Sequence, residues 1–506
     1  MSHHQPHQDS FHDPLKPWKY IPFQTLRITT DAFTNFMKGF LGICLVGSIS
    51  LFSFLAFSKW FGCSEYQNIF ISTSSEFSTG YDVRAHSHET NISHILFGIG
   101  GSAKTWNFRR HYCEAWWKPN VTRGFVWLDE RPPENESWPE TSPRFQVSQD
   151  TSRFKYTCPY GSRAAVRIAR IVKESFELGL ENVRWLVMGD DDTVFFPENL
   201  VAVLSKYDHN QMYYIGSNSE SVEQDQVHSY TMAYGGGGFA ISYALAAVLV
   251  RVLDGCIDRY AAFYGSDQKI GGCMSEIGVP LTKELGFHQM DIRQNPYGVL
   301  AAHPVAPLVS LHHLDYVQPL FPGTSQEESV KKLVEAYKSD PSRTLQHSFC
   351  YDLSRNWSIS VSWGYTIQLY PTLVNAKELA TPFRTFLTWK SWNEGPFTFD
   401  VRRMSSDPCE KPLMFYLNHV HNLGNGSTVS SYTRPKVDGN QCQNENYAPA
   451  LLVHSFNVSA QILSREIWKK VPRRQCCEVV NDGDGAEGIL QVKLRGCNQW
   501  ESVTPP

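Results

Sequence analysis

Three consecutive carboxylates, Asp190, Asp191 and Asp192, stand between two apolar runs at 185–188 and 194–196. Adjacent like charges repel, and they are costly to hold near a core unless something positive neutralises them. A hard divalent cation at the end of a buried strand meets that need, and such a cation can hold a diphosphate. The competing reading is an acidic surface turn between two strands. Further along, the run YGGGGFAIS at 234–242 sets four glycines, Gly235, Gly236, Gly237 and Gly238, against Phe239 and a following helix. Glycine lets backbone approach a ligand closely, so this segment reads as a substrate-facing loop rather than a linker. Asp267, in YGSDQKIG at 264–271, enters a helix from a glycine-flanked turn and suits a helix N-cap, a general base, or both. His312 and His313 follow the apolar run at 309–311. In an extended chain they point opposite ways, so at most one easily faces a metal.

Alternating strand and helix patterns position these groups. SHILFGIGG at 93–101 reads as a buried strand ending in glycines, and KTWNFRRHYCEAWW at 104–117 as a helix. Strand, glycine turn and helix open a nucleotide-binding α/β unit, with Gly98, Gly100 and Gly101 at the turn, although the spacing departs from the GxGxxG fingerprint. A second strand is expected at 124–128. The segment 162–178 is an amphipathic helix whose Arg163, Arg167 and Arg170 lie off its apolar face, as solvated residues or with one reaching a phosphate. A strand leads into Asp190. Pro197 and Glu198 then begin another helix, and 212–216 forms a further strand. Beyond a helix at 325–337, short alternating runs (357–369, 401–404, 413–417, 451–454, 490–495) suggest a β-sandwich-like accessory domain.

The chain has 506 residues, 13% aromatic, with net charge -4, which gives no case for a nucleic-acid partner. Residues 1–38 are polar and His-rich, as a disordered cytosolic tail would be. The nineteen uncharged residues at 39–57 would reach ~28 Å as a helix, about a bilayer core. Lys19, Arg27 and Lys38 precede that stretch and Lys59 follows it, which puts the N-terminus in the cytosol and the bulk in the lumen. Six Asn-x-Ser/Thr sequons, at Asn91, Asn120, Asn135, Asn356, Asn425 and Asn457, all follow the span, as do 11 of the 12 cysteines. In an oxidising lumen most of those cysteines pair. Cys256 and Cys273 suit a pair, and the odd number points to Cys63 as the one left over.

The ordered set WLVMGDDDT, GGGGFAIS, GSDQKIG and LHHLD resembles the Fringe-type β-1,3-glycosyltransferases over residues 93–320. The nearest resemblance is to the plant Fringe-related group, whose C-terminal region is a domain of unknown function. The resemblance implies a GT-A fold, a Rossmann-like α/β unit that takes a UDP-sugar donor and Mn²⁺. It implies metal contact through Asp192, with Asp190, and through His313, the histidine preceding Leu-Asp. Asp190 and Asp191 would lie near the ribose and diphosphate, with Gly100, Gly235 to Gly238 and Phe239 lining the donor and acceptor pocket. Asp267 would be the catalytic base, although Fringe carries paired acidic residues where this chain has Ser-Asp-Gln. The expected organisation is a tail (1–38), a signal-anchor helix (39–58), a stem (59–92), the catalytic domain (93–325) and the β-rich accessory domain (326–506). The expected protein is a single-pass type II Golgi membrane glycosyltransferase, inverting and β-1,3-forming on a glycan or glycoprotein acceptor, with a homodimer among its partnerships. The rivals are a glycan-binding protein that keeps the fold without catalysis, and a hydrolase with paired carboxylates, which an adjacent triplet fits poorly.

Overall fold

The computed structural model describes residues 89–504, apart from 134, 136, 436–441, 446 and 481–487. They fall in one compact unit, His86–Pro506. The expected tail and anchor, and the stem up to residue 88, lie outside the described residues, among which no helix is long and apolar enough to cross a membrane.

A seven-stranded sheet in the order β3-β2-β1-β4-β7-β6-β8 forms the first half. Its strands are β1 (Ile95–Gly100), β2 (Arg123–Leu128), β3 (Phe145–Val147), β4 (Trp185–Asp190), β6 (Tyr214–Gly216), β7 (Phe239–Ser242) and β8 (Leu281–Lys283). The first four run parallel, and β7 lies antiparallel between β4 and β6. Every residue of β1 is buried, as expected of a parallel strand covered on both faces. In β4 the two faces separate by alternation. Leu186 and Met188 join Val166, Ala169 and Leu249 on one side, while Trp185 and Val187 join Phe97, Trp116 and Phe195 on the other. Helices α1 (Trp106–Trp116), α2 (Ala164–Glu177), α3 (Pro197–Leu204), α4 (Tyr243–Arg259) and α5 (Ser266–Ile277) surround the sheet. A second sheet sets β5 (Val194–Phe195) beside β11 (Ser310–Leu311) and β9 (Phe287–His288).

The C-terminal half is a closed eight-stranded barrel rather than the expected sandwich. Its strands are β12 (His347–Asp352), β13 (Trp357–Ser362), β14 (Thr366–Tyr370), β16 (Leu413–Asn422), β17 (Ser427–Thr433), β18 (Ser455–Gln461), β19 (Cys476–Val480) and β20 (Ile489–Arg495). A parallel pairing of β12 with β19 closes the circle and removes the free edges an open sheet would carry. Ile359, Ile367, Phe415, Phe456 and Val492 belong to the same buried cluster as Phe97 and Trp185, so sheet and barrel share one core. Two expected strands are not ladder elements. At 401–404 only Arg402 makes a bridge, to Phe383, and 451–454 is the end of a short helix and a loop before β18.

Four disulfides form: Cys256–Cys273 as expected, Cys350–Cys477, Cys409–Cys442 and Cys476–Cys497. Among the described residues Cys113 and Cys158 are free, and Cys63 lies outside them.

Arg167 and Arg170 of α2 are buried and structural, whereas Arg163, just before the helix, is exposed as expected. Arg167 donates to the Trp127 carbonyl at 2.9 Å and the Gly101 carbonyl at 2.8 Å, tying together the ends of β1 and β2. Arg163 donates to the carbonyls of Thr151, Ser152 and Phe154. Arg170 is buried against Asp254 at 3.0 Å and Glu174 at 3.6 Å. Burial raises the Glu174 carboxyl from 4.5 to about 6 despite the bond from the Gln149 N–H and the charge of Arg170. A carboxyl raised on folding costs stability as pH climbs through that interval, and the full cost is present above the folded value. Glu174→Gln should therefore stabilise the fold by ~1–2 kcal/mol at pH 7.5 and by nearly nothing at pH 4.5. Thermal midpoints at the two pH values test this, and an equal shift at both would sink it.

Candidate active site

The acidic turn is fixed by its neighbours before any ligand is considered. At the end of β4 the Asp190 N–H donates to Thr193 Oγ1 at 2.9 Å, and the Asp191 N–H to the Gly100 carbonyl at 2.9 Å. Thr193 Oγ1 donates to the Gly236 carbonyl at 2.7 Å, and Trp116 Nε1 to the Thr193 carbonyl at 3.1 Å. The three carboxylates thus emerge at the C-terminal end of a parallel strand, between the glycine turn after β1 and the glycine loop before β7. That end is where ligands sit in open α/β sheets.

The carboxylates differ in environment. Asp191 and Asp192 are buried, whereas a third of the Asp190 side-chain surface is open. His312 Nε2 lies 3.0 Å from Asp192 Oδ1 and 3.8 Å from Asp190 Oδ2. Arg109, on α1, reaches Asp191 at 3.1 Å and Asp192 at 3.4 Å. Burial would raise Asp192, but the charge and hydrogen bond of His312, with Arg109, hold it far below the usual carboxylate range. Burial also opposes the imidazolium, yet Asp192 and Asp190 lift His312 to about 9. Asp190 rises to about 7 through burial and the repulsion of its neighbours, against the charge of His312, and Asp191 to about 6 through burial and Asp192, against Arg109. Arg109 is itself raised: its burial is outweighed by Asp192 and Asp191.

Asp190, Asp192 and His312 each offer a ligand atom, all within 4.8 Å of one another. The buried Nδ1 of His312 has no hydrogen-bond partner among the described residues. Two carboxylates and one imidazole suit a divalent cation of the Mn²⁺ class, so the residues present fit such a group.

The histidine whose ring nitrogen reaches these carboxylates is His312, not the expected His313. Strand alternation decides this. Ser310, two residues earlier on β11, donates to the Gly237 carbonyl, so its face, which His312 shares, points into the glycine loop. The next residue leaves the strand: His313 has φ +52°, and its ring lies against that of His312 with centroids 3.9 Å apart. Its Nδ1 lies 3.0 Å from Asp291 Oδ1, and its ring stacks on Trp389 with centroids 4.2 Å apart.

The glycine loop is shaped around these groups. A Cβ on Gly236 would lie 2.0 Å from His312 Cε1. The Gly237 N–H donates to Gln289 Oε1 at 2.5 Å, and Gly238 needs φ +83° beneath Phe195. The Gly235 N–H donates to Asp267 Oδ2 at 3.1 Å. Asp267 sits in the first turn of α5, where its other oxygen accepts from the Gln268 N–H at 2.8 Å. Asp190, Gly235, Phe239 and Asp267 line one small cavity. The Gly100 Cα faces Asp190 as well, since a Cβ there would sit 3.3 Å from Asp190 Oδ1.

Arg109 and Asp291 were not singled out in the sequence. Asp291 is fully buried, accepts from Ser219 Oγ at 2.6 Å, and is raised to about 7 by burial against the bond from Ser219. Glu220 accepts from the Asp291 N–H at 3.2 Å and lies 3.3 Å from His288 Nδ1. Glu220 and His288 also line a cavity of about 330 Å³ between the α/β half and the segment at 377–400. The pair RR at 109–110, just after a glycine turn, is the one signal that could have flagged Arg109.

A family model described as protein of unknown function, DUF604, matches residues 224–477, from before the glycine loop to β19. The chain belongs to the DUF604 family. A mouse protein named beta-1,3-glucosyltransferase is 30% identical over 166 residues, which is 32% of each chain, so the match spans about a third of that relative's length. Among solved structures, the catalytic domain of Drosophila beta1,4-galactosyltransferase 7 in complex with xylobiose is 11% identical, covering 38% of this chain and 64% of that one at a TM-score of 0.21. A glycosyltransferase involved in glycosylation of the major capsid of PBCV-1 is also 11% identical, covering 47% and 97% at 0.25. At those scores neither likeness bears on the DUF604 site.

Proposed function

We propose that this DUF604 chain is a glycosyltransferase that moves a sugar from a UDP-sugar to a hydroxyl of a glycan or glycoprotein, with inversion and in β-1,3 linkage. The observation that carries this reading is the convergence of Asp190, Asp192 and His312 at the end of β4 with Asp267 in a cavity shared with Asp190. The partial identity to a beta-1,3-glucosyltransferase supports it. When bound, Mn²⁺ held by Asp192, Asp190 and His312 would offset negative charge gathering on the departing diphosphate.

The chain's own residues supply the rest. The glycine loop brings backbone to the donor without side-chain bulk. Arg109 holds Asp191 and Asp192 in place. Asp267, oriented by the Gly235 and Gln268 N–H groups, takes the proton of the acceptor hydroxyl. The oxygen bonds to the anomeric carbon as the bond from that carbon to the diphosphate oxygen breaks, so an α-linked donor gives a β-linked product.

Asp267→Asn keeps the side-chain shape and one of the two acceptor oxygens, and removes the base. Transfer should fall roughly 10²–10⁴-fold with donor affinity held. Loss of UDP-sugar binding along with turnover would remove Asp267 from that role.

The anchor at 39–57 and a Golgi lumenal orientation belong to the same proposal. It is supported by the sequons, of which Asn91, Asn120, Asn135, Asn356 and Asn425 are exposed and Asn457 half-buried. It is supported too by the four disulfides, a pairing typical of oxidising compartments.

A further inference from the structure

The segment after β15 (Phe386–Thr388) belongs to the C-terminal half of the chain, yet it is built into the α/β half. β15 pairs antiparallel with β10 (Ile292–Gln294). Glu223 then clamps the next residues, accepting from the Lys390 N–H at 2.5 Å, the Ser391 N–H at 3.1 Å and Ser391 Oγ at 2.6 Å. The turn closes through the Thr388 N–H to the Asn393 carbonyl at 2.8 Å. This is a fixed loop whose shape is set by polar bonds from both halves.

The loop carries two indoles. Trp389 stacks on His313 on one face, and the Arg293 guanidinium lies 3.8 Å from its ring centre on the other. Arg293 also packs against Tyr316 at 4.9 Å and Trp392 at 5.4 Å. Trp392 has φ +56°, a left-handed conformation that a bulky residue adopts rarely. The conformation leaves the indole 56% exposed, beside Tyr316 at 43%. Packing of the core gains nothing from that arrangement. It sets two exposed aromatic side chains around one guanidinium, one residue's stack away from the histidine pair at the carboxylates.

We propose that Trp392 and Tyr316, with Arg293 between them, form the acceptor subsite of this enzyme. The ring that docks is a neutral pyranose of the acceptor glycan, its C–H face on the indole and its hydroxyls at the guanidinium. The proposal rests on the transferase reading above. Aromatic faces beside a forked donor are the combination that binding hot spots favour. The neutral glycan is preferred over an apolar protein surface because Arg293 stands in the middle of the patch and Glu223, Glu394 and Lys390 border it, leaving little contiguous apolar area. It is preferred over the donor sugar because Trp392 and Tyr316 are exposed, whereas Asp191, Asp192 and His312 are buried.

The test uses the full chain in detergent on a printed array of neutral oligosaccharides with Mn²⁺ and UDP, alongside UDP release from a UDP-sugar panel without acceptor. Trp392→Ala should lower retention of the best-bound glycan at least about tenfold, Trp392→Phe should hold it within about threefold, and acceptor-free UDP release should stay within about twofold in both. Tyr316→Ala provides a second, independent reduction. Retention unchanged in Trp392→Ala overturns the proposal, as does a wild type that retains no glycan, or a Trp392→Ala chain whose UDP release falls in step. A wild type that binds glycans through Trp392 but releases no UDP from any donor leaves the sugar subsite standing and removes the transferase reading instead.

Discussion

His312→Ala should weaken Mn²⁺ binding by about 10²-fold or more, while His313→Ala should cost no more than about tenfold, the lower end of what losing an outer-shell partner costs. The asymmetry follows from geometry. His312 Nε2 lies 3.0 Å from Asp192 and its Nδ1 has no partner, whereas His313 is engaged with Asp291 and stacked on Trp389. The same cluster predicts a pH dependence. Below about 9 His312 carries a proton, held there by Asp192, and below about 7 Asp190 carries one, held by burial. A cation must displace both, so affinity should climb by about one to two powers of ten for each pH unit between 6 and 8. Calorimetric titration of Mn²⁺ into the wild type and the two variants at pH 6, 7 and 8 reads both effects. A His313→Ala variant weaker than His312→Ala would reverse the assignment of the ligand.

The histidine pair shows where the sequence was informative and where it stopped. Strand alternation said that His312 and His313 face opposite ways in an extended chain, but His313 is not extended: at φ +52° its ring lies against that of His312, with centroids 3.9 Å apart. Which of them faces the carboxylates depends on the register of β11 against Phe195 and Phe287, a pairing between residues more than a hundred positions apart in one direction. The family pattern placed the ligand directly before Leu-Asp, whereas the histidine that the structure sets against Asp192 is one residue earlier. The β1 glycine turn, the acidic strand end, the glycine loop and the Asp267 helix start were all legible, because each is written in a few consecutive residues. Arg109 was not, since an arginine on a helix looks the same in sequence whether it faces water or a carboxylate. The barrel was missed for a related reason. Alternating runs give strands, but closure comes from one parallel contact, Phe349 beside Cys476, that no local pattern records. Arg167 and Arg170 misled in the opposite sense: their period put them off the apolar face, and the carbonyl ends of β1 and β2 drew Arg167 inward.

Gly236→Ala should remove the metal site without touching a ligand. The added methyl would lie 2.0 Å from His312 Cε1, 2.4 Å from Nδ1 and 2.4 Å from Nε2, so the imidazole cannot keep its place. It cannot simply rotate aside, because it is buried, and Ser310 on the same strand is tied to the Gly237 carbonyl. Overpacking of this kind costs ~1–3 kcal/mol of stability, and Mn²⁺ affinity should fall as far as in His312→Ala. Gly235→Ala is the contrasting change. Its methyl meets Asp267 Cβ at 3.5 Å, an ordinary contact, so metal affinity should hold within about threefold. The cause is separable by a double-mutant cycle. With His312 already replaced by alanine the methyl at 236 has room, so Gly236→Ala in that background should cost less than about 0.5 kcal/mol. Denaturant midpoints of the two single variants and the double variant give the coupling. Simple additivity would mean that the glycine is required for its backbone alone, and that the cradle around His312 is not what the second glycine of the loop provides.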